Sequence, residues 1–549
     1  MNKQRHLSKF WSVLFIFFST FIITYFNHFH KDWPNPNETV RLYLTLAISD
    51  RGDFNIDKEI NQFGVIWDRA VYKNKIYSDK APGISFAAVP VIYINKLFHK
   101  YVLKKSPSLK TNYMLAVLST STLSTIISLV FLIQLFSLYE FSLTTTMLAL
   151  FSLILGTYTN TYSMLFFGHQ FASALLFISF VLVEMYIRKD RKPIYIISAA
   201  FLASYAFISE YPTILISMLI FVYLFVEVRE KKILIYSISA LIPVLLLMHY
   251  FNSCFGSIFS TGYQHLDSET FSRIHKEGIL GFKYPDPKAL LGLLFGSQRG
   301  LLFFSPIFLL SILYLLKSKK LRAIKFIMVT FCSYTLLISS FGYWIGGDAA
   351  GARHLIPLNY FLIIPLAFFI EEKRRNPLVM SFFFGLLFIS AHNVIVTNLS
   401  WPFFPPQFLN PLADFAYILI NDGYITNSVL NVFNIYGYSV VGVFLCILLF
   451  VLILTLLFVI KDFFNGYLII LQMVMIWILC LLILFPTRPD ESNYREIKRI
   501  ESSFDPRPTK SLPFERYVKG DYKICLKRGN VLVKRGNNVE AIREYRCMR

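Results

Sequence analysis

The sequence predicts an all-α polytopic membrane protein with about 13 transmembrane helices, on three observations. The first is composition: of 549 residues, 55% are hydrophobic and only 16% charged, with a mean hydropathy of +0.53. Soluble domains carry about 25% charged residues, so a water-soluble multidomain enzyme is excluded. The second is the recurrence of apolar stretches near the ~20 residues needed to cross a bilayer. The third is the placement of basic residues in short clusters between those stretches, where they set topology. The formal charge of +21 therefore reflects membrane orientation, and nucleic-acid binding is not expected. Aromatic residues reach 17%, as suits lipid-facing helices and interfacial belts.

In chain order, residues 10–26 follow the basic start MNKQRHLSK without a small-residue cleavage site, and read as an uncleaved anchor with a cytoplasmic N-terminus. Further spans fit at about 112–136, 141–157, 169–187, 193–209, 211–228, 233–251, 301–316, 326–342, 355–370, 377–396, 437–460 and 467–486. Residues 83–98 (GISFAAVPVIYINKLF) decide the orientation of everything after them. If they lie in the interface, the clusters at 188–192, 229–232, 317–325, 371–375 and Lys461 put 16 basic residues inside, against five lysines (96, 100, 104, 105 and 110) outside. If they span, that balance reverses. The positive-inside rule favours the interfacial arrangement, and Pro90 in so short a segment agrees with it.

The chain thus divides into a transmembrane domain, 1–486, and a small basic C-terminal extracytoplasmic region, 487–549. The C-terminus is expected outside. The outer polar regions are 28–111, 252–300, 343–354, 397–436 and the tail. The first is a large extracytoplasmic loop: residues 32–79 hold eight of the chain's 33 acids in 48 positions. Loops of that length are usually functional. The tail carries 16 Lys/Arg against 9 Asp/Glu, and 523–536 reads as two short strands about an Arg-Gly-Asn turn. Its basic charge suits either anionic lipid headgroups or a solvated surface. No zinc spacing occurs among the six cysteines, and whether Cys525 and Cys547 pair is left open.

Several residues are candidates for chemistry. A carboxylate can take the proton of an attacking hydroxyl as the new bond forms, and departing phosphate needs cations to absorb its charge. YSDKAPG (77–83) sets Asp79 beside Lys80, either as such a pair or as a surface ion pair at a loop end. Residues 37–57 read as a short amphipathic helix in which Glu38, Arg41 and Thr45 share a face and Asp50-Arg51-Gly52 ends it. Glu38 there is either a chemical group or a cap on the helix dipole. Asp57 and Asp68 add charge that the loop does not need for folding.

Distant positions reach the same side of the membrane. His169 opens a span, and Glu210 lies at the junction of two. Ionisable groups at such places are functional candidates, with an interfacial histidine and a solvated turn as the alternatives. Glu184, near a cytoplasmic end, reads as structural. GSQRG (296–300) and residues 342–358 place Arg299, Asp348 and Arg353 among glycines, which permit close backbone approach to a ligand. There is no Walker-type phosphate loop and no HExxH cluster.

These motifs resemble the GT-C superfamily of integral-membrane glycosyltransferases, in particular the branch with protein O-mannosyltransferases and the lipid A aminoarabinose transferase. The resemblance rests on NETVRLYLTLAISDRGDFNID (37–57), DRAVYKNKIYSDKAPG (68–83), FGSIFSTGY (255–263), GSQRGLLFFSP (296–306) and GGDAAGARHLIP (346–357), in that order, and covers residues 1 to about 400. It implies a polyprenyl-phosphate-linked sugar as donor, used on the outer face of a prokaryotic plasma (inner) membrane with inversion at the sugar carbon. It also implies that first-loop carboxylates act as base or metal ligand. Asp79 and Lys80 match the acidic-basic pair before the first-loop proline. Glu38 matches the second acid of an Asp-Glu pair whose first position here is Asn37, so the base is open among Glu38, Asp57, Asp68 and Asp79. A divalent metal ion is likewise left open. Lys80, Arg299 and Arg353 are expected at the carrier phosphate, with His169, Glu210 and Asp348 around the substrates.

The expected function is transfer of a sugar to an extracytoplasmic glycan, lipid or protein of the cell envelope, with membrane lipids around the spans. Two rivals remain: a lipid-linked-sugar flippase, which predicts paired charges deep within spans and internal repeats, and a surface-polysaccharide polymerase or ligase, which would move a glycan chain.

Overall fold

The computed structural model describes residues 2–29, 35–318, 321–459 and 491–501. The chain is a helical integral membrane protein. Seven described helices are long and apolar enough to span: Leu109–Leu138, Gly168–Arg188, Tyr211–Val228, Lys232–Phe255, Arg322–Ser339, Arg353–Lys373 and Pro377–Leu399. Six shorter apolar helices accompany them, among them Val13–Thr24, Leu143–Gly156, Pro193–Ser209 and Tyr438–Leu448.

A total of 13 spans is therefore not reproduced by length and hydropathy alone. The stretch expected at 301–316 is broken into Leu301–Phe304 and Phe308–Lys317, because Pro306 cannot continue a helix ladder. The span expected at 467–486, the tail strands and the Cys525/Cys547 pair lie outside the described residues. Gly168–Arg188 is central and buried on nearly all sides. Within it Glu184 accepts hydrogen bonds from Tyr139 and Tyr223 and pairs with Arg188 at 2.6 Å, which is a structural hub.

The first loop folds from local signals. Pro36 occupies the first turn of helix Pro36–Arg51, and Asn35 caps it by accepting from the Asn37 N–H at 3.0 Å. Gly52 ends it in the left-handed conformation (φ 65°), its N–H returning to the Ile48 carbonyl. The helix is not amphipathic as expected: most of its residues are buried, polar ones included. The sequence reading also lacked an antiparallel hairpin, Ala70–Tyr72 with Lys75–Tyr77, turned by Lys73 and Asn74 at φ 48° and 61°. Residues 83–98 form one 16-residue helix, shorter than a full crossing. Residues 401–419, expected as polar loop, instead build a second core from Trp401, Phe403, Phe404, Phe408 and Phe415.

Candidate functional site

Three segments distant along the chain come together around Lys80. Asp68 stands just before the hairpin, and the turn Ser78–Pro82 after it carries Asp79 and Lys80; the segment 256–265 carries Tyr263; residues 343–354 lie near, with Tyr343 within electrostatic reach of Asp68 and His354 of Lys80. Lys80 Nζ lies 3.0 Å from Asp68 Oδ2 and 2.9 Å from Asp79 Oδ2, and 5.8 Å from the centre of the Tyr263 ring. Burial disfavours the Lys80 charge, but Asp68 and Asp79 outweigh it and hold the ammonium above its usual range. Asp79 is 3% exposed. Burial pushes its carboxyl up to about 6, against the opposing pull of Lys80, with Asp68 adding to the rise. Its second oxygen, Oδ1, is buried and has no hydrogen-bond partner.

Beside this triad runs a second charged chain. Arg41, 1% exposed, donates to Glu210 at 3.2 Å, to the Asn37 side chain at 3.1 Å and to the Ala81 carbonyl at 2.9 Å, which ties the Asp79 turn to its helix. Glu210 Oε2 lies 3.6 Å from His169 Nδ1, and His169 Nε2 lies 3.3 Å from His354 Nδ1. Next to His354, the Arg353 guanidinium lies over the Phe167 ring at 5.6 Å and forms no ion pair among the described residues. Arg353 Nε, His354 Nε2 and His169 Nδ1 are buried without hydrogen-bond partners. Gly346, at φ 78°, makes room for the first two: a Cβ there would stand 2.7 Å from Arg353 Nε and 2.9 Å from His354 Nε2.

A buried polar atom left unpaired costs roughly 1–3 kcal/mol, so a cluster of them beside paired charges marks where a ligand's groups would bind. The donors here are cationic or imidazole and the acceptor is a carboxylate. Such a set can hold an anionic group and, beside it, take a proton.

Not every expected residue joins this cluster. Glu38 accepts from the Tyr113 hydroxyl at 2.8 Å and the Phe166 N–H at 2.6 Å, and burial pushes it up to about 8. It staples the first-loop helix to the membrane core from the helix's first turn, whose N-cap is Asn35. Asp57 accepts from Asn55 and from the Ile76 N–H at 3.1 Å, holding the hairpin. Arg299 donates to the carbonyls of Gln298, Ile345, Gly347 and Phe404, which occupies four of its five N–H groups. Burial lowers it to about 10, and its bonds to Ile345, Gly347 and Phe404 tie segments 343–354 and 401–408 together. Asp348 lies in that segment, its carboxyl raised to about 6 by burial first and then by Glu496, against the pull of Arg299 and Arg353. Among the described residues, no three His, Cys, Asp or Glu side chains are grouped to hold a metal ion.

Tyr263 is the residue missed from sequence, while Arg41 and His354 are singled out there without a site role. All three stood inside the quoted motifs; the fold alone showed which atoms they face.

No family model and no curated protein matches the chain. Among solved structures, ArnT from Cupriavidus metallidurans in the apo state is similar at 13% identity and a TM-score of 0.44, over 69% of this chain and 62% of that one. The same protein bound to undecaprenyl phosphate is similar at 11% identity and a TM-score of 0.44, over 70% of each chain. This chain thus spans under two thirds of the first of these structures.

Proposed function

We propose that the protein moves a sugar from a polyprenyl-phosphate-linked donor to an extracytoplasmic acceptor hydroxyl on a glycan, lipid or protein, in the plasma membrane and with the Asp79 side outside. The observation that carries this reading is the buried, unpartnered Asp79 Oδ1 beside Lys80, with the unpaired Arg353 in the same charged cluster. Lys80 and Arg353 receive the carrier phosphate. Asp79 Oδ1 accepts the proton of the acceptor hydroxyl as its oxygen bonds to the sugar carbon. The bond from that carbon to the phosphate oxygen breaks, and its electron pair leaves with the phosphate, whose growing charge the two cations offset. A single displacement inverts the sugar carbon. The polyprenyl tail lies along the apolar spans.

Asp68 acts through Lys80, holding its ammonium in place. Glu210, held by Arg41, stands 3.6 Å from His169 Nδ1, and His169 faces His354 at the edge of the phosphate site. Arg299 supports the segment that presents Arg353.

The test is reconstituted protein supplied with radiolabelled polyprenyl-phosphate sugars and an acceptor mixture. Label in the acceptor supports the reading. Label that crosses the bilayer while still on its carrier identifies a flippase, and transfer of oligomers alone identifies a polymerase. Asp79→Asn and Asp68→Asn variants that both transfer at the wild-type rate would remove the carboxylates from the mechanism.

A further inference from the structure

Helix Gly83–Phe98 runs into a wider, π-helical turn, His99–Leu103, before the span Leu109–Leu138 begins. The turn is anchored from within: Ile92 and His99 are buried, and the Asn95 side chain donates to Asn112 at 3.0 Å. Its outer face is apolar, with Phe98, Tyr101 and Val102 exposed by 50%, 67% and 62%. Between these lie lysines. Lys96 pairs with Asp50 at 2.8 Å, whereas Lys100, Lys104, Lys105 and Lys110 are exposed and form no ion pair among the described residues. From Lys80 to Tyr139 the chain contains no acidic residue at all.

A row of aromatic and aliphatic side chains at the mouth of a span sits at headgroup depth. Ammonium groups interleaved with it meet lipid phosphates there. A soluble polyanion would neutralise the lysines but leave Tyr101 and Val102 in water. We propose that residues 93–110 bind anionic phospholipid headgroups in the leaflet on the Asp79 side of the membrane. The surface is separate from the sugar-transfer site and independent of that reading.

The experiment compares full-length protein with a Lys100→Gln/Lys104→Gln/Lys105→Gln/Lys110→Gln variant and with its Lys→Arg counterpart. Each is titrated with phosphatidylglycerol or phosphatidylcholine of identical acyl chains, and lipid retention is read by native mass spectrometry. A lysine at an anionic surface is worth about fivefold in affinity. The Gln variant is therefore expected to lose at least about fivefold in preference for phosphatidylglycerol, while the Arg variant keeps it. The difference should vanish near 1 M salt, where the screening length is about 3 Å. Because the cytoplasmic clusters also meet anionic lipid, the variant difference is the readout. A Val102→Trp probe should be quenched by brominated phosphatidylglycerol. Wild-type preference in the Gln variant, or no quenching of the probe, overturns the proposal.

Discussion

Gly262 stands against Asp79 so closely that a Cβ placed on it would lie 2.7 Å from the Asp79 Cα and 3.0 Å from its carbonyl oxygen. Two segments far apart in sequence are therefore in backbone contact at the residue proposed as base. The obstacle to a side chain is backbone, which cannot swing aside. Gly262→Ala is expected to shift Asp79 and to lower transfer about 100-fold, as a displacement near 1 Å does. Steady-state kinetics beside a melting curve checks this; unchanged kcat would mean the contact is incidental.

Asp79→Asn keeps the shape and removes the proton acceptor. The expected loss is about 10²–10⁴-fold in kcat, with donor KM unchanged or lower, since a negative charge beside the phosphate is gone. A raised KM with normal kcat would make Asp79 a binding residue.

The rise of Asp79 to about 6 carries a sign that can be tested. The base works ionised, so kcat/KM should climb as pH passes about 6 and level off above it. Folding shows the opposite slope. The folded state holds this proton more tightly than an unfolded aspartate, whose ordinary value is 3.8. Its contribution to stability is therefore greatest below about pH 4 and declines between about 4 and 6. A flat rate profile from pH 5 to about 8 would contradict the assignment.

Arg353 and Arg299 should separate cleanly. Arg353 has no ion-pair partner among the described residues, so Arg353→Gln is expected to leave the melting temperature nearly unchanged. A charge-assisted hydrogen bond to a ligand is worth about 1.5–3 kcal/mol, so donor affinity should fall by roughly 10- to 150-fold. Arg299→Gln should strand the carbonyls of Ile345, Gly347 and Phe404. At about 1–3 kcal/mol each, that is a loss of at least about 3 kcal/mol in stability. Binding titrations and thermal unfolding of both variants decide it. The reverse pattern would exchange their roles.

Arg41→Ala removes one partner of a buried ion pair and leaves the Glu210 carboxylate among apolar helices. The expected cost is about 3–5 kcal/mol, read as a lower melting temperature. Arg41→Ala/Glu210→Gln should recover part of it. If the double variant is no more stable than the single one, the pair is not what holds the Asp79 turn.

Local physics was legible in the sequence. Apolar length marked the spans, Gly52 marked a helix end, and Asp79-Lys80 stood together because neighbours in the chain are neighbours in space. What the sequence withheld were partners between segments distant along the chain. Glu38 has the composition of a catalytic acid, yet Tyr113 and the Phe166 N–H hold it. Arg299 has the composition of a phosphate ligand, yet backbone carbonyls from two other segments occupy it. Arg353 resembles it in sequence and is left unpaired. Hydropathy and turn chemistry act over a few residues and can be read in order; hydrogen-bond satisfaction is settled only when the helices pack, and that packing left Glu38 and Arg299 bonded within the fold and Asp79 Oδ1 and Arg353 Nε without a partner.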